Sequence, residues 1–421
     1  MWVALSISIA TLVLIMVRPK PLNEGTAAAI GGFLMLISGQ VSVRELPALL
    51  QDVSPILLFF LGLMLICLAA EKAGFFQWSA YQSVKLARGN GRLLFLTVFA
   101  FGTVLTAFFS NDATALLLTP IVFALVSQLK LDPIPYVFTC AFIANTASLI
   151  LPVSNPVNLL PFTAFNLTLG EYLRYLILPS VVAIAINIVV FYFLFRRRIS
   201  ADFVAANLIS PPKDALFKYA SIVLGIIAVA YILTSFYGLP LYWAALGGAL
   251  LLVGGGLAFR RLHFREIKMG ISWSILLFIF SLSVVIQGLE NSGIITALGN
   301  ISVRSFPQGS LEAITTVSLA NALGSNFINN WSMMMVSVSS LGATGSAPDH
   351  SLIYAAILGA DLGPNLTIVG SLSSILWLAI LRQRGLEISP RHYFKVGLVL
   401  TPLLLAASIG TLYAMSRISG W

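Results

Sequence analysis

The segment Ser110-Asn-Asp-Ala-Thr114 places polar side chains in the middle of an apolar run over residues 93–127. A second apolar run, over 311–342, carries Ser325-Asn-Phe-Ile-Asn-Asn-Trp-Ser332 near its centre. Each run is too long for one membrane-spanning helix, which needs about 20 mostly apolar residues. A broken helix survives in hydrocarbon only where protein or a water-filled cavity surrounds it. The two stretches therefore predict re-entrant hairpins, each of which enters and leaves the membrane on one side.

The composition of the chain agrees with this prediction. Only 9% of its 421 residues are charged, 58% are hydrophobic, and the mean hydropathy is +0.96. Soluble domains average about 25% charged residues, and a soluble fold of this length has too little interior for so much apolar surface. We therefore expect an all-α polytopic membrane protein with about ten transmembrane helices and two re-entrant helical hairpins. The same numbers exclude a disordered chain, a collagen-like chain and a secreted disulfide scaffold.

The positive charges indicate the orientation of the chain. If both hairpins re-enter, 20 of the 24 Lys and Arg residues fall on one side of the membrane. The four on the other side are Arg44, Arg174, Arg304 and Arg417. Because positive residues favour the cytoplasm, the sequence predicts a multi-pass protein of the cell (inner) membrane with both termini extracytoplasmic. Topology then accounts for the formal net charge of +9 without a nucleic-acid partner.

The two halves of the chain resemble each other at an offset of 219 residues. Ile56-Leu-Leu-Phe59 matches Ile275-Leu-Leu-Phe278, and the residues Glu71, Gly74 and Asn111 match Glu290, Gly293 and Asn330. Two copies in opposite orientation are typical of secondary transporters. We therefore expect a first repeat at 1–196, a cytoplasmic linker at 197–216 and a second repeat at 217–421. Each repeat holds one hairpin, near 93–127 or 311–342, and one broken helix, near 134–165 or 352–381.

Each broken helix also carries a polar cluster. Asn145-Thr-Ala-Ser148 and Pro152-Val-Ser-Asn-Pro156 interrupt the first, and Asp361-Leu-Gly-Pro-Asn365 interrupts the second. Half-helix ends expose unpaired N–H and C=O groups, and amide and hydroxyl side chains add further donors and acceptors. Such residues can also simply join helices in membranes. Four clusters, two in each half, favour a solute site near the middle of the membrane.

Asp112 and Asp361 are the two carboxylates, of 15, that lie deep in hydrophobic segments. A charged side chain at the centre of a bilayer costs at least about 2.5 kcal/mol, so burial favours the protonated form. A group that takes up and releases a proton suits a proton carrier. The alternative is an acid that only hydrogen-bonds a hairpin tip. We expect both residues to serve in proton coupling.

The residue types missing from these clusters narrow the function further. No Lys or Arg lies at their depth, which favours an uncharged hydroxylated solute or a small cation over an anion. There is no G-x-x-x-x-G-K-[ST] motif, and none of the three His residues suggests a nucleophile–base pair. We expect no enzymatic activity, no catalytic residue, no metal site and no cofactor. Cys67 and Cys140 lie in apolar runs, where a thiol is usually a small apolar residue, and a two-thiol site would require them to pack together.

At these residues the chain resembles arsenite/antimonite efflux permeases of the ArsB family, in the ion transporter superfamily. The most specific stretches are 110–120, 142–148, 154–158, 328–330 and 359–372, the last followed by Trp377. The resemblance implies export of trivalent arsenite or antimonite from the cytoplasm in exchange for inward-moving protons. It also implies a scaffold domain and a transport domain that moves like an elevator. Some members of the family pair with a cytosolic arsenical ATPase, and the sequence leaves that partner open.

Under this hypothesis, Asp112 and Asp361 carry or gate protons. Arsenous acid resembles a small uncharged polyol at neutral pH, so neutral side chains can bind it without desolvating a charge. We expect the substrate to contact amide and hydroxyl groups of the four clusters. These are Ser110, Asn111, Thr114, Asn145, Ser148, Asn155, Asn329, Asn330 and Asn365.

The chain departs from the family pattern at four places. The family often has Asp where this chain has Asn145, Cys where it has Ala360, Lys where it has Asn365, and Met-Pro where it has Trp331-Ser332. The missing Asp leaves the proton stoichiometry open, and the missing Cys argues against a thiol ligand at that position.

Three other functions stay open at this point. A sodium/proton antiporter of the same superfamily is the main alternative, because two buried acids suit Na⁺ as well as H⁺. A channel or a structural membrane subunit is disfavoured by the repeat and the hairpins. An anion carrier is disfavoured by the missing cations.

Overall fold

The computed structural model describes residues 1–17, 22–199, 202–204, 213–237, 239–294, 307, 309–342 and 349–418. Within these ranges the regular elements are helices, with one isolated bridge between Asn90 and Asp202. In this described part of the chain, eight helices are long and apolar enough to cross a membrane, and four shorter apolar helices accompany them. The prediction of an all-α polytopic membrane protein is therefore confirmed.

The described helices include long continuous segments and short interrupted ones. Those of the first half are α1 (Trp2–Val17), α2 (Glu24–Ile37), α3 (Leu46–Lys72), α4 (Phe75–Ala87), α5 (Gly91–Phe109), α6 (Asn111–Gln128), α7 (Ile134–Thr146), α8 (Leu159–Ala164) and α9 (Leu169–Phe195). Those of the second half are α10 (Ala215–Phe236), α11 (Leu241–Ala258), α12 (Phe264–Gly270), α13 (Trp273–Asn291), α14 (Leu311–Ile328), α15 (Asn330–Gly342), α16 (His350–Leu362), α17 (Leu372–Gln383) and α18 (Pro390–Ile418).

Polar caps and glycines explain where several helices begin and end. The Asn90 side chain accepts hydrogen bonds from the N–H groups of Arg92 and Leu93, the second and third residues of α5, and so caps the start of that helix. The Thr168 side chain does the same for α9 in a capping box with Glu171. Gly74 and Gly293, which are 219 residues apart, both have a φ of +80°. A glycine tolerates this left-handed conformation, so it ends a helix without strain.

Apart from α4, α8 and α12, the described helices pack in two groups. The frame group, defined here by its mutual packing, consists of α1, α2, α3, α10, α11 and α13. The hairpin group consists of α5, α6, α7, α9, α14, α15, α16, α17 and α18. The two groups meet mainly where α3 and α13 of the frame group face the tips of the hairpins. The functional site described below lies at that junction.

Contacts between loops separate two faces of the protein. One face, called the cation-rich face here, carries three ion pairs: Lys72–Glu266, Arg198–Asp132 and Arg261–Asp214. Each pair joins two connections that the charge count places on the same side. Hydrogen bonds from the Phe217 backbone N–H and the Arg261 guanidinium lower the pKa of Asp214. Three of the counted cations, Arg18, Lys20 and Arg304, lie outside the described residues.

The opposite face shows a matching contact between loops. The Asn291 amide, at the end of α13, donates to the Gln40 carbonyl oxygen at 3.0 Å and to the Glu45 carboxylate at 2.9 Å. This contact joins the α2–α3 connection to the end of α13, as the predicted topology requires.

Close helix packing in the hairpin group depends on glycine, and we expect Gly359→Ala to destabilise the fold by about 1–3 kcal/mol. A Cβ at Gly359 in α16 would overlap the Ser318 carbonyl oxygen and lie 2.8 Å from the Asn321 Cβ in α14. The matched control is Gly410→Ala in α18, where a Cβ meets nothing within 4 Å. Thermal unfolding of the two purified variants in detergent measures the loss of stability that each substitution causes. Equal unfolding midpoints for the two variants would contradict the packing argument.

Candidate functional site

Each hairpin reverses at a single residue with an unusual backbone conformation. Ser110 separates α5 from α6 with a φ of +96°, and Asn329 separates α14 from α15 with a φ of +69°. The two residues are 219 positions apart. Positive φ is uncommon for residues other than glycine and marks sites that the surrounding structure holds in place. Each reversal places the N-terminus of a new helix in the interior of the protein. The first backbone N–H groups of such a helix have no acceptor within the helix itself.

Side chains at the two tips shape these helix starts. The Ser110 hydroxyl accepts a hydrogen bond from the Ala113 N–H at 3.4 Å, and the Asn329 amide oxygen accepts one from the Trp331 N–H at 3.0 Å. Beyond the first tip, α6 contains a π-helical turn over Thr114–Leu118. Such wide turns often occur at functional sites.

A cavity of about 140 Å³ lies between the two tips and the frame group. Its polar wall comes from the hairpin group and consists of Asn111, Asp112, Asn155, Asn329 and Asn330. Its apolar wall comes mainly from α3 and α13 and includes Phe60, Ile275, Phe278 and Ile279. Glu24, Ser272 and Ser274, at the starts of α2 and α13, also line it. The cavity therefore extends toward the cation-rich face.

Asp112 also lines a second cavity, of about 190 Å³. This cavity is shared with Ser110 at the first tip and with Cys67 and Glu71 near the end of α3. Asp112 thus lines two cavities, one on each side of the first tip. The two thiols do not form a disulfide: Cys140 is buried, and Cys67 is half-buried with its Sγ 3.7 Å from the Phe109 carbonyl oxygen.

Asp361 lies outside both cavities and is fully enclosed by hydrogen-bond donors. It is 1% exposed, and its two oxygens accept from the Asn155 amide at 2.6 Å and the Asn158 amide at 2.8 Å. Asn155 itself lines the first cavity. The carboxyl of the second half is therefore held by the broken helix of the first half, one residue away from the cavity.

A buried polar network joins the two broken helices beside Asp361. The Asn145 amide donates to the Ser374 hydroxyl at 3.2 Å and lies 3.5 Å from the Asn365 amide oxygen. The Asn365 amide in turn donates to Thr146 at 3.3 Å. The remaining members are hydroxyl groups that bond to each other or to Asn145, namely those of Ser371, Ser373, Ser374 and Tyr393. All these residues are buried, so the network holds the two breaks together.

The structure thus separates the predicted site residues into those that line a cavity and those that are buried in hydrogen bonds. It brings Asn111, Asn155, Asn329 and Asn330 to the cavity together with Asp112. Ser110 faces the neighbouring cavity. The other proposed contacts are buried in hydrogen bonds away from either cavity: Thr114 with Thr106, Ser148 with the Asn145 carbonyl oxygen, and Asn145 with Asn365.

Sequence reasoning did not identify several residues of this region. Phe60 lies in the apolar wall and resembles any other aromatic residue of a spanning helix. Trp331 follows Asn330 directly, and this adjacency could have indicated its place in the cavity. Ser371, Ser373 and Ser374 form a polar cluster inside an apolar run, which is the same signal that marked the other breaks.

Comparison with known proteins identifies the family. The profile of the family described as "Arsenical pump membrane protein" (ArsB) matches residues 3–415. An arsenical pump membrane protein of Escherichia coli is 32% identical over 98% of both chains, and one of Yersinia enterocolitica is equally similar. The chain belongs to the arsenical pump membrane protein family. It is accordingly a membrane transporter and not an enzyme.

Solved structures with the same fold are also membrane transporters. The Alcanivorax borkumensis YdaH transporter superimposes with a TM-score of 0.62 at 15% identity, covering 100% of this chain and 98% of its own. Neisseria gonorrhoeae MtrF, described within a class of antimetabolite efflux pumps, gives a TM-score of 0.58 at 13% identity, covering 97% and 94%. At these identities the similarity concerns the fold alone.

Asn145 and Asn365 are neighbours in space, which predicts energetic coupling between opposite charges placed at the two positions. We expect Asn145→Asp and Asn365→Lys each to destabilise the protein by about 3 kcal/mol or more, because each buries an unpaired charge. The double variant places the two charges together at a site where the present amides are 3.5 Å apart. It should recover about 1–3 kcal/mol of the summed loss. Thermal unfolding of the four proteins in detergent measures the coupling, and strictly additive losses would contradict it.

Proposed function

We propose that the chain exports trivalent arsenite and antimonite from the cytoplasm in exchange for protons. The observation that carries this proposal is the composition of the cavity between the hairpin tips. Four Asn side chains and Asp112 form the polar wall from the hairpin group, and Glu24, Ser272 and Ser274 line the cavity at the starts of α2 and α13. None of the described residues that line it is Lys or Arg. Amides bind a neutral hydroxylated solute well, whereas an anion would favour a cationic partner.

The two-sided wall suits the shape of the neutral metalloid acids. Arsenous acid is a pyramidal molecule with three hydroxyl groups on one side and the metalloid lone pair on the other. The amides of Asn111, Asn329 and Asn330 can bond the hydroxyl groups, while Phe60 and Ile275 contact the less polar side. No charge needs to be desolvated for such a ligand to bind.

Asp112 and Asp361 are the proposed proton-coupling residues, in unequal positions. Asp112 lines both cavities, so its carboxyl is able to exchange a proton with solvent on one side and to meet the substrate on the other. Asp361 reaches the substrate cavity only through Asn155, whose amide bonds its carboxylate. We propose that Asp112 carries the exchanged proton. Asp361 is proposed to act through Asn155, by controlling the position of this residue in the polar wall.

The proposed transport step is a movement of the hairpin group along the frame group, of elevator type. The two hairpin tips and both broken helices belong to the hairpin group, while the apolar wall belongs to the frame group. Each half supplies one tip and one break, as expected from repeats at 1–196 and 217–421 joined by a linker at 197–216. With the cation-rich face assigned to the cytoplasm, the present cavity faces inward and both termini are extracytoplasmic in a cell (inner) membrane.

Transport by the purified chain in proteoliposomes tests this proposal. With an acidic lumen, we expect arsenite to accumulate inside above its external concentration as protons leave. Nigericin, which collapses the pH gradient, should abolish the accumulation, and sodium should not change it. Arsenite transport by this chain alone, with no ATPase subunit added, would also show that such a subunit is dispensable. No arsenite accumulation, combined with a sodium-dependent pH change, would instead establish the sodium/proton antiporter.

A further inference from the structure

The second hairpin holds hydrogen-bonding groups that the chain itself does not use. Within the described residues, the Ser325 hydroxyl, the Trp331 indole N–H and the Ser332 hydroxyl have no hydrogen-bond partner. These side chains are 0%, 5% and 1% exposed, respectively. Most buried polar groups in proteins have a partner, so an unpartnered group calls for an explanation such as a ligand.

Among the described residues, the tip of the first hairpin does not share this property: the unpartnered buried hydroxyl of that hairpin, Thr119, lies away from the tip, in the middle of α6. Its Thr106 and Thr114 hydroxyls bond each other at 2.9 Å, and its Ser110 hydroxyl accepts from the Ala113 N–H. The two tips occupy corresponding positions in the two halves, but only the second keeps several side-chain groups unused. Its hydrogen-bonding capacity is therefore not a general requirement of building a hairpin in this fold.

Trp331 is the member of this set that lines the substrate cavity. It follows Asn330 at the start of α15 and forms part of the cavity wall. Its ring also meets the edge of Phe60, with the ring centroids 5.6 Å apart and the planes at 69°. Because Phe60 belongs to the frame group, this edge-on contact is where the second tip touches the opposite wall.

We propose that Trp331 is a specificity-determining residue whose indole N–H donates a hydrogen bond to a hydroxyl oxygen of the bound metalloid acid. This inference rests on the proposed function. An indole N–H is a donor only, so it favours a ligand that presents an oxygen lone pair and offers nothing to a bare cation such as Na⁺. The indole ring, held against Phe60, limits the size of the ligand on the same side.

Two variants separate the N–H group from the ring. Trp331→Phe keeps an aromatic ring against Phe60 but loses the donor. Replacement of Trp331 by β-(3-benzothienyl)alanine, introduced by stop-codon suppression, keeps the indole shape and exchanges the N–H for sulfur. Trp243→Phe is the matched control, because Trp243 is 63% exposed on the frame group and lines neither cavity. The readouts are the KM and kcat for arsenite in proteoliposomes and the change in tryptophan fluorescence on addition of arsenite in detergent.

We expect both replacements of Trp331 to raise the KM for arsenite about fivefold, the effect of one neutral hydrogen bond, with kcat within about twofold of wild type. The arsenite-dependent fluorescence change should disappear in both and persist in the Trp243 control. An unchanged KM with the benzothienyl residue overturns the inference, even if Trp331→Phe is impaired, because only the ring would then matter. Absence of arsenite transport by the wild-type chain would instead refute the proposed function.

Discussion

Asp112→Asn should abolish proton-driven arsenite accumulation, lowering the initial rate at least about 100-fold. The carboxyl is the titratable group shared by the two cavities at the first hairpin tip. An amide of the same shape can still bond a hydroxylated solute but cannot take up and release a proton. Arsenite binding should therefore survive while its coupling to the pH gradient is lost. Transport under an imposed pH gradient and arsenite-induced thermal stabilisation measure the two effects separately.

The control for this variant is the same substitution at an exposed carboxylate. Asp52 lies on α3 away from both cavities, and Asp52→Asn should transport arsenite as wild type does. If Asp112→Asn still accumulates arsenite in response to a pH gradient, the exchanged proton is not carried by Asp112.

Asp361→Asn should destabilise the protein by about 2–3 kcal/mol and also impair transport. The Asp361 carboxylate accepts from two amide N–H groups, those of Asn155 and Asn158. An Asn at this position offers one oxygen, so its own amide N–H₂ would face a second donor. A buried donor without an acceptor is costly because it has lost its bonds to water. The thermal unfolding midpoint in detergent measures the effect.

Asp112→Asn serves as the matched control for stability. It makes the same chemical change at the first hairpin tip, which belongs to the other half of the chain. The hydrogen bond at Asp112 uses its backbone N–H, which donates to the Asn111 amide oxygen at 2.9 Å, and this bond survives the substitution. Asp361→Asn should therefore unfold well below Asp112→Asn. Equal midpoints would show that the two amides do not hold the Asp361 carboxylate in the folded protein.

The membrane class and the interruptions of the helices could be predicted from the sequence. Few charges and long apolar runs indicate spanning helices directly, because the hydrocarbon of the membrane requires both features of a helix that crosses it. The predicted hairpin runs, 93–127 and 311–342, contain the reversals at Ser110 and Asn329. Polar clusters mark such breaks well because the backbone groups that a broken helix leaves unpaired need polar surroundings at that depth.

The division of polar residues between cavity and network could not be predicted. Residues 135–149 and 351–365 are buried on every side, so helical periodicity gives no indication of which side faces a ligand. Asn145 and Asn155 belong to neighbouring clusters of similar composition. Only the fold shows that Asn155 reaches the cavity, whereas Asn145 bonds across the two breaks. Trp331 could be predicted only in part: its adjacency to Asn330 indicates a place in the cavity, but its contact with Phe60, far away in sequence, depends on the fold.

We propose that a neutral metalloid acid and a proton are exchanged through the same cavity of the protein. The most direct test loads proteoliposomes with arsenite and a pH-sensitive dye at equal pH on both sides, and then dilutes them into arsenite-free buffer. We expect outward arsenite movement to acidify the lumen in the wild type, and we expect no such acidification in protein-free liposomes or in Asp112→Asn proteoliposomes. Protein-dependent arsenite efflux at the wild-type rate with no change in luminal pH would contradict it.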